Sequence, residues 1–307
     1  MPETTVKERW FELGARALNT FLTPKIGDKY VCPLCRKAFD RGQIDTDLSF
    51  EHAPPESVGG RAVALTCRRC NNRAGTELDS EMLRRHRAQQ LALGGSMTLE
   101  RVEATIEDKV ARGQLTFGPN RFNFVPIDRQ NKPEDLRQHF EVSDQWARDR
   151  MPGHEIMLSI PVQANPLRAN LSWMRSAFVA AFATFGYLYT FQPAFDKLLT
   201  QIQNPNDHSD IPLPILFDDA APVDTRKIAL VIGPQPLRSV MVRMGQMTVF
   251  LPSEWDDNFF HEFGDRRAQV VASAPDPTAL SLDILAFDWP RSPQHLWDGI
   301  DTSNDRR

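Results

Sequence analysis

The chain has 307 residues, 41% hydrophobic and 25% charged, a composition typical of globular proteins and long enough for two domains and a sizeable core without disulfides. A net charge of -4 argues against a surface coated with basic charge for non-specific nucleic-acid binding. The longest apolar run, Ala177 to Phe191, has 15 residues. A bilayer-crossing helix needs about 20, so a buried core helix is expected and no membrane partner.

In chain order, residues 4–22 carry Trp10, Phe11, Leu13, Leu18 and Phe21 at helical spacing, ended by Pro24 and Gly27. This charged, amphipathic start reads as a helix rather than a secretion signal. Leu48 to His52 and Ala62 to Thr66 are strand candidates, joined by a loop containing Pro54, Pro55, Gly59 and Gly60. Residues 71–93 are helical in pattern, and Gly94-Gly95-Ser96 is a break. Residues 97–127 fit strands, helix or both, with Phe122 to Val125 a strand; residues 128–152 are polar and read as irregular, with a short helix near Leu136. Asn170 to Tyr189 is the strongest helix, followed by Phe195 to Ile202. Ile228 to Ile232, Ser239 to Val242 and Met247 to Leu251 read as strands, with Val270-Val271 and Leu280 to Phe287 as two more. The end of the tail beyond Arg291 is expected to be loose.

The expected division is an N-terminal helix over 1–22, a compact domain over 23–95 and a larger mixed domain over 96–307. The fold class is α+β.

Cys32-x2-Cys35 and Cys67-x2-Cys70 lie 31 residues apart and use every cysteine of the chain. Two such turns supply the four thiolates of a closed tetrahedral zinc site. Paired, reduced cysteines suit a cytoplasmic protein better than disulfides. Seven arginines stand against three acids from Arg61 to Arg87. The run suits a solvated helix face or, beside a metal motif, a phosphate-contacting surface.

Between the cysteine pairs lies Glu51-His52-Ala53-Pro54-Pro55-Glu56-Ser57-Val58-Gly59-Gly60, and the second pair continues as Cys70-Asn71-Asn72-Arg73-Ala74-Gly75. The pattern EHxxPxSxGG followed by LxCxxCNxxxGxxxD resembles the HNH endonucleases, in their cysteine-rich branch with EH in place of DH. The resemblance covers Cys32 to about Asp79. It implies a ββα-metal fold, a hairpin and helix around a divalent cation, stabilised here by zinc.

The resemblance further implies that His52 is the general base and that Glu51 and Asn71 hold the catalytic cation. Hydrolysis of a phosphodiester needs a base for water and a cation for the charge on phosphate, and the oxygen donors suit Mg²⁺ or Mn²⁺. Arg68, Arg69 and Arg73 are candidate nucleic-acid contacts. Gly75 is expected to let the helix pack closely on the hairpin, and Asp79 to be either a support for the site or exposed. One departure stands out: where the family often has an asparagine that orients the base, this chain has Ala62.

The expected activity is cleavage of nucleic acid, DNA rather than RNA, in a setting such as bacterial defence. The alternative is a zinc-stabilised nucleic-acid-binding module without chemistry. The C-terminal domain is open to a protein partner, a ligand or oligomer formation.

Overall fold

The computed structural model describes residues 3–92, 97–118, 121–149, 155–159, 164–207, 211–253, 256–273 and 281–299. Helix α1 (Glu3–Phe21) buries Trp10, Phe11, Leu13 and Leu18, one apolar stripe of an amphipathic helix. Strands β1 (Lys29–Val31) and β2 (Ala38–Asp40) pair antiparallel on either side of Cys32 and Cys35. The one-turn helix α2 (Ile44–Asp47) leads to β3 (Leu48–Ala53) and β4 (Arg61–Cys67), an antiparallel hairpin. From Cys67 the chain passes directly into α3 (Arg68–Ala74), a π-helical turn (Gly75–Asp79) and α4 (Ser80–Ala92). Both expected strands and the following helix are therefore present, the helix beginning at Arg68 rather than Asn71.

Strands β5 (Met97–Ile106), β6 (Lys109–Gly118) and β7 (Arg121–Pro126) come next, then α5 (Pro133–Asp149) and β8 (Ile156–Ser159). They form an antiparallel sheet of order β7-β6-β5-β8, with α5 packed on β6. Helices α6 (Pro166–Phe185), α7 (Tyr187–Thr190) and α8 (Asp196–Gln203) follow. Strands β9 (Ile215–Phe217), β10 (Arg226–Gly233), β11 (Ser239–Met244) and β12 (Met247–Leu251), helix α9 (Phe259–Ser273) and β13 (Asp283–Phe287) complete the chain. The second large sheet is antiparallel, of order β13-β10-β11-β12-β9. The chain is an α+β protein.

Two compact units result, described separately: Met1–Met82 together with Asn165–Arg307, and Leu83–Ala164. In the first, α6 is the centre of the core. It is buried from Leu171 through Phe185 and packs against β3, β4, β11, β12 and the π-helical turn. An all-round apolar surface is what a helix so enclosed requires. Asn165 caps α6, its side chain accepting from Arg168 N at 3.1 Å, and Pro166 fills the first helical position. In the second unit, Leu99, Val102 and Leu115 form a small core of their own.

Several expectations change. The units divide after Met82 and again before Asn165, so residues 96–307 are shared between them and 23–95 is not a unit by itself. Residues 133–149, read as mostly irregular, form α5; Pro133 starts it, and Glu134–Arg137 and Arg137–Glu141 ion pairs support its exposed face. Val270-Val271 lie in α9, whose Phe259, Phe260 and Phe263 are buried at helical spacing. Near the end of the described residues, Asp298 accepts from Tyr187 N and Leu188 N, both at 2.8 Å, and so caps α7. Leu280 and residues 300–307 lie outside the described residues. Among the described residues no helix is long and apolar enough to cross a membrane.

Candidate active site

The four cysteines converge. Cys32 and Cys35 sit in the turn between β1 and β2, closed by Arg36 N donating to Cys32 O at 2.8 Å and Cys32 N donating to Lys37 O at 2.9 Å. Arg36 takes a left-handed backbone, φ 57°. Cys67 ends β4 and Cys70 lies in the first turn of α3. Their sulfurs all fall within 4.8 Å of one another, and Cys35 Sγ to Cys67 Sγ is 3.7 Å. A tetrahedral ion with Zn–S bonds of about 2.3 Å sets its sulfurs about 3.8 Å apart. The donors therefore fit one metal ion, with zinc the natural match.

Burial pushes the Cys32 thiol well above its ordinary range, so without a cation it is held protonated. Four thiolates this close need a cation between them. Among the described residues no other group of three or more His, Cys, Asp and Glu side chains converges in this way.

Glu51 and His52 lie near the end of β3. The register slips between them: Glu51 pairs with Ala64 and His52 with Ala62, so Val63 is the extra residue of a bulge. A bulge bends the strand and re-aims its side chains, which relaxes strict alternation. Gly60, at the turn end of the hairpin, is required by a close approach: an added Cβ would lie 1.4 Å from Pro54 O. Ala62 stands directly across from His52, the position where the family's asparagine was expected to help. His52 is half-buried and its ring has no hydrogen-bond partner among the described residues.

Asn71, on the first turns of α3, reaches back to the hairpin. Its Nδ2 donates to Ser49 Oγ at 3.0 Å and to Phe50 O at 2.9 Å. This holds the carboxamide beside the Phe50 peptide, one residue from Glu51. Its Oδ1 accepts no bond within the described residues.

Glu51 is held by a partner that sequence reasoning missed. Arg175, from the middle of α6, donates through Nη2 to Glu51 Oε2 at 2.6 Å, with side-chain exposures of 1% and 3%. Thr66 Oγ1 donates to the same oxygen at 2.8 Å. Both bonds fall on Oε2, leaving Oε1 without one. Arg175 Nη1 also reaches Asp79 at 3.4 Å, and Ser172 Oγ donates to Asp79 Oδ1 at 2.5 Å. Burial raises the Glu51 carboxyl above its ordinary value, Arg175 opposes this and Asp79 adds to it. Burial would lower Arg175, but the charges of Glu51 and Asp79 outweigh it and hold it above its ordinary value. Asp79 thus supports the site through Arg175. The legible signal was Arg175 itself, a lone charge inside an apolar helix, which a core must pair.

The three arginines proposed as contacts differ. Arg68 donates to Asp45 O at 2.8 Å, and Arg73 pairs with Glu77 at 3.1 Å. Arg69 is exposed, with no partner among the described residues. Gly75 does not serve close packing: a Cβ there would meet nothing within 4 Å. It starts the π-helical turn that brings Asp79 to Arg175.

No curated protein and no solved structure matches the chain. The family model described as HNH endonuclease matches residues 32–87. That span holds the four cysteines, Glu51, His52 and Asn71, so the likeness to the HNH endonuclease family falls on the segment that builds this site.

Proposed function

We propose that the chain is a metal-dependent endonuclease that hydrolyses phosphodiester bonds in DNA, with structural zinc on Cys32, Cys35, Cys67 and Cys70. His52 takes the proton of the attacking water. Asn71 Oδ1 and Glu51 Oε1 would hold Mg²⁺ or Mn²⁺. When bound, that cation supplies charge stabilisation at the phosphate and the leaving oxygen. Arg175 and Thr66 fix the other oxygen of Glu51, and Asp79 fixes Arg175, so the carboxylate has one orientation. Arg69, exposed at the start of α3, is the best placed of the three arginines to touch phosphate.

The observation that carries this reading is the set of unused donor atoms. Asn71 spends its amide N–H groups on the hairpin, Glu51 spends one oxygen on Arg175 and Thr66, and each keeps an oxygen without a hydrogen bond among the described residues. The test is incubation of the full chain with plasmid DNA and Mg²⁺ or Mn²⁺ beside His52→Ala. Metal-dependent nicking lost in the variant supports the reading; equal nicking by both, or none with either cation, overturns it.

A second reading, a nucleic-acid-binding module without chemistry, is favoured by Ala62. A general base is held in one tautomer by a hydrogen bond to its other nitrogen, and Ala62 has none to offer. This module would bind DNA with strong salt dependence and leave it intact. A setting in defence against foreign DNA fits the endonuclease reading and rests on that resemblance alone.

A further inference from the structure

A cleft of about 1050 Å³ opens beside the turn end of the hairpin, within the unit that contains it. This is at the upper end of small-ligand sites, which span roughly 300–1,000 Å³. Ala53 and Ala62, the neighbour and the cross-strand partner of His52, form part of its wall. The opposite wall comes from the start of β10 and from residues 288–294, outside the segment that matches the family model.

Its lining is cationic in a chain that is acidic overall. Four arginines, Arg9, Arg61, Arg226 and Arg291, face it with two aspartates, Asp224 and Asp288. Arg61 and Arg291 are exposed and make no ion pair among the described residues. Arg226 is anchored by carbonyls instead: Nη1 donates to Thr225 O at 2.8 Å and Val223 O at 3.2 Å, and Nη2 to Gly59 O at 3.4 Å. Burial and the nearby charge of Arg61 lower its affinity for its proton, with Asp224 opposing. Arg226, fixed by carbonyls, and Arg61 and Arg291, without ion pairs among the described residues, are placed for an anion, and guanidinium forks match phosphate oxygens. Trp289, half-buried in the same wall, offers a ring against which a base can stack.

We propose that this cleft binds a nucleotide, its phosphates on Arg61, Arg226 and Arg291 and its base against Trp289. The nucleotide is either free or one residue of a nucleic-acid strand. Glu51, His52 and Asn71 are not among its lining residues, and its occupancy does not depend on whether His52 cuts.

The test uses the full chain, a 5′-phosphorylated thymidine dinucleotide and a single-stranded DNA oligonucleotide, each fluorescein-labelled and followed by anisotropy. The variants are Arg61→Glu/Arg291→Glu, both at exposed positions, and Arg148→Glu as a surface control in the other unit. At least one probe is expected to bind the wild type, with affinity lower by about tenfold or more in the double variant and unchanged in the control. If the dinucleotide binds and displaces the strand, the site belongs to the strand; if it binds without displacing it, the ligand is a free nucleotide; strand binding alone, weakened by the double variant, also assigns the strand. Absence of binding by both probes, or binding that the double variant leaves unchanged, overturns the proposal. His52→Ala is expected to bind as the wild type does, so failure of cleavage and failure of this site are read separately.

Discussion

Arg175 Nη2 lies 2.6 Å from Glu51 Oε2, across 124 positions of sequence, with both side chains almost wholly removed from water. One helix of the core therefore sets the surroundings of the carboxylate proposed to hold the hairpin's cation. A guanidinium is already bound to one oxygen of Glu51, so a cation there would share the carboxylate rather than own it.

Breaking this pair leaves an uncompensated buried charge. Arg175→Ala is expected to lower the unfolding free energy by about 3–5 kcal/mol. Glu51→Gln/Arg175→Met removes both charges and is expected to cost clearly less. Urea denaturation of the two variants and the wild type checks this; an equal loss in both would show that packing, not charge, sets the cost.

Installing the missing group should help the base. In Ala62→Asn the new carboxamide stands across from His52, and nicking of plasmid is expected to rise roughly tenfold, a modest part of the 10²–10⁴ that a positioned base contributes. His52→Ala is expected to lose about a hundredfold or more. A rate unchanged in Ala62→Asn would mean that His52 needs no orienting partner.

One zinc per chain is expected by elemental analysis of purified protein, and none in Cys35→Ser/Cys70→Ser. Removal of the ion by a chelator should loosen the β1–β2 turn and the start of α3 together, because each contributes two sulfurs. Hydrogen exchange at Cys32, Arg36 and Cys67 amides, all hydrogen-bonded in the site, reads this directly; protection that survives metal removal would count against a structural role.

Two glycines should respond in opposite directions. Gly60→Ala puts a methyl group onto Pro54 O and is expected to cost about 3 kcal/mol or more. Gly75 has helical dihedrals, φ -54° and ψ -40°, and open space around it. Gly75→Ala is expected to stabilise by roughly 0.5–1 kcal/mol. Thermal melts of the two variants decide the pair.

The sequence was most readable where structure is local. Strands β3 and β4, helix α3 and the convergence of the cysteines follow from spacing within about forty residues, and Asn71 meets Phe50 because a hairpin and its next helix must touch. What was hidden is nonlocal or masked by composition. Nothing near Glu51 announces Arg175, and the return of Asn165 onward to the hairpin's unit leaves no mark at the Gly94–Ser96 break. Helix α5 was obscured by its polar exposed face, although Pro133 and the Glu134–Arg137 spacing were there to be read. In α9 the β-branched pair Val270-Val271 suggested a strand, and burial of Phe259, Phe260 and Phe263 on one helix face overrode it.

The separation of 124 positions between Glu51 and Arg175 also orders events on the ribosome. At about 5–20 residues per second, Arg175 is made roughly 6 to 25 s after Glu51. Cys67, only 35 positions beyond Cys32, is made long before it. The newborn hairpin can thus be clasped by its sulfurs while its carboxylate is still unclaimed, until α6 emerges to pair with it.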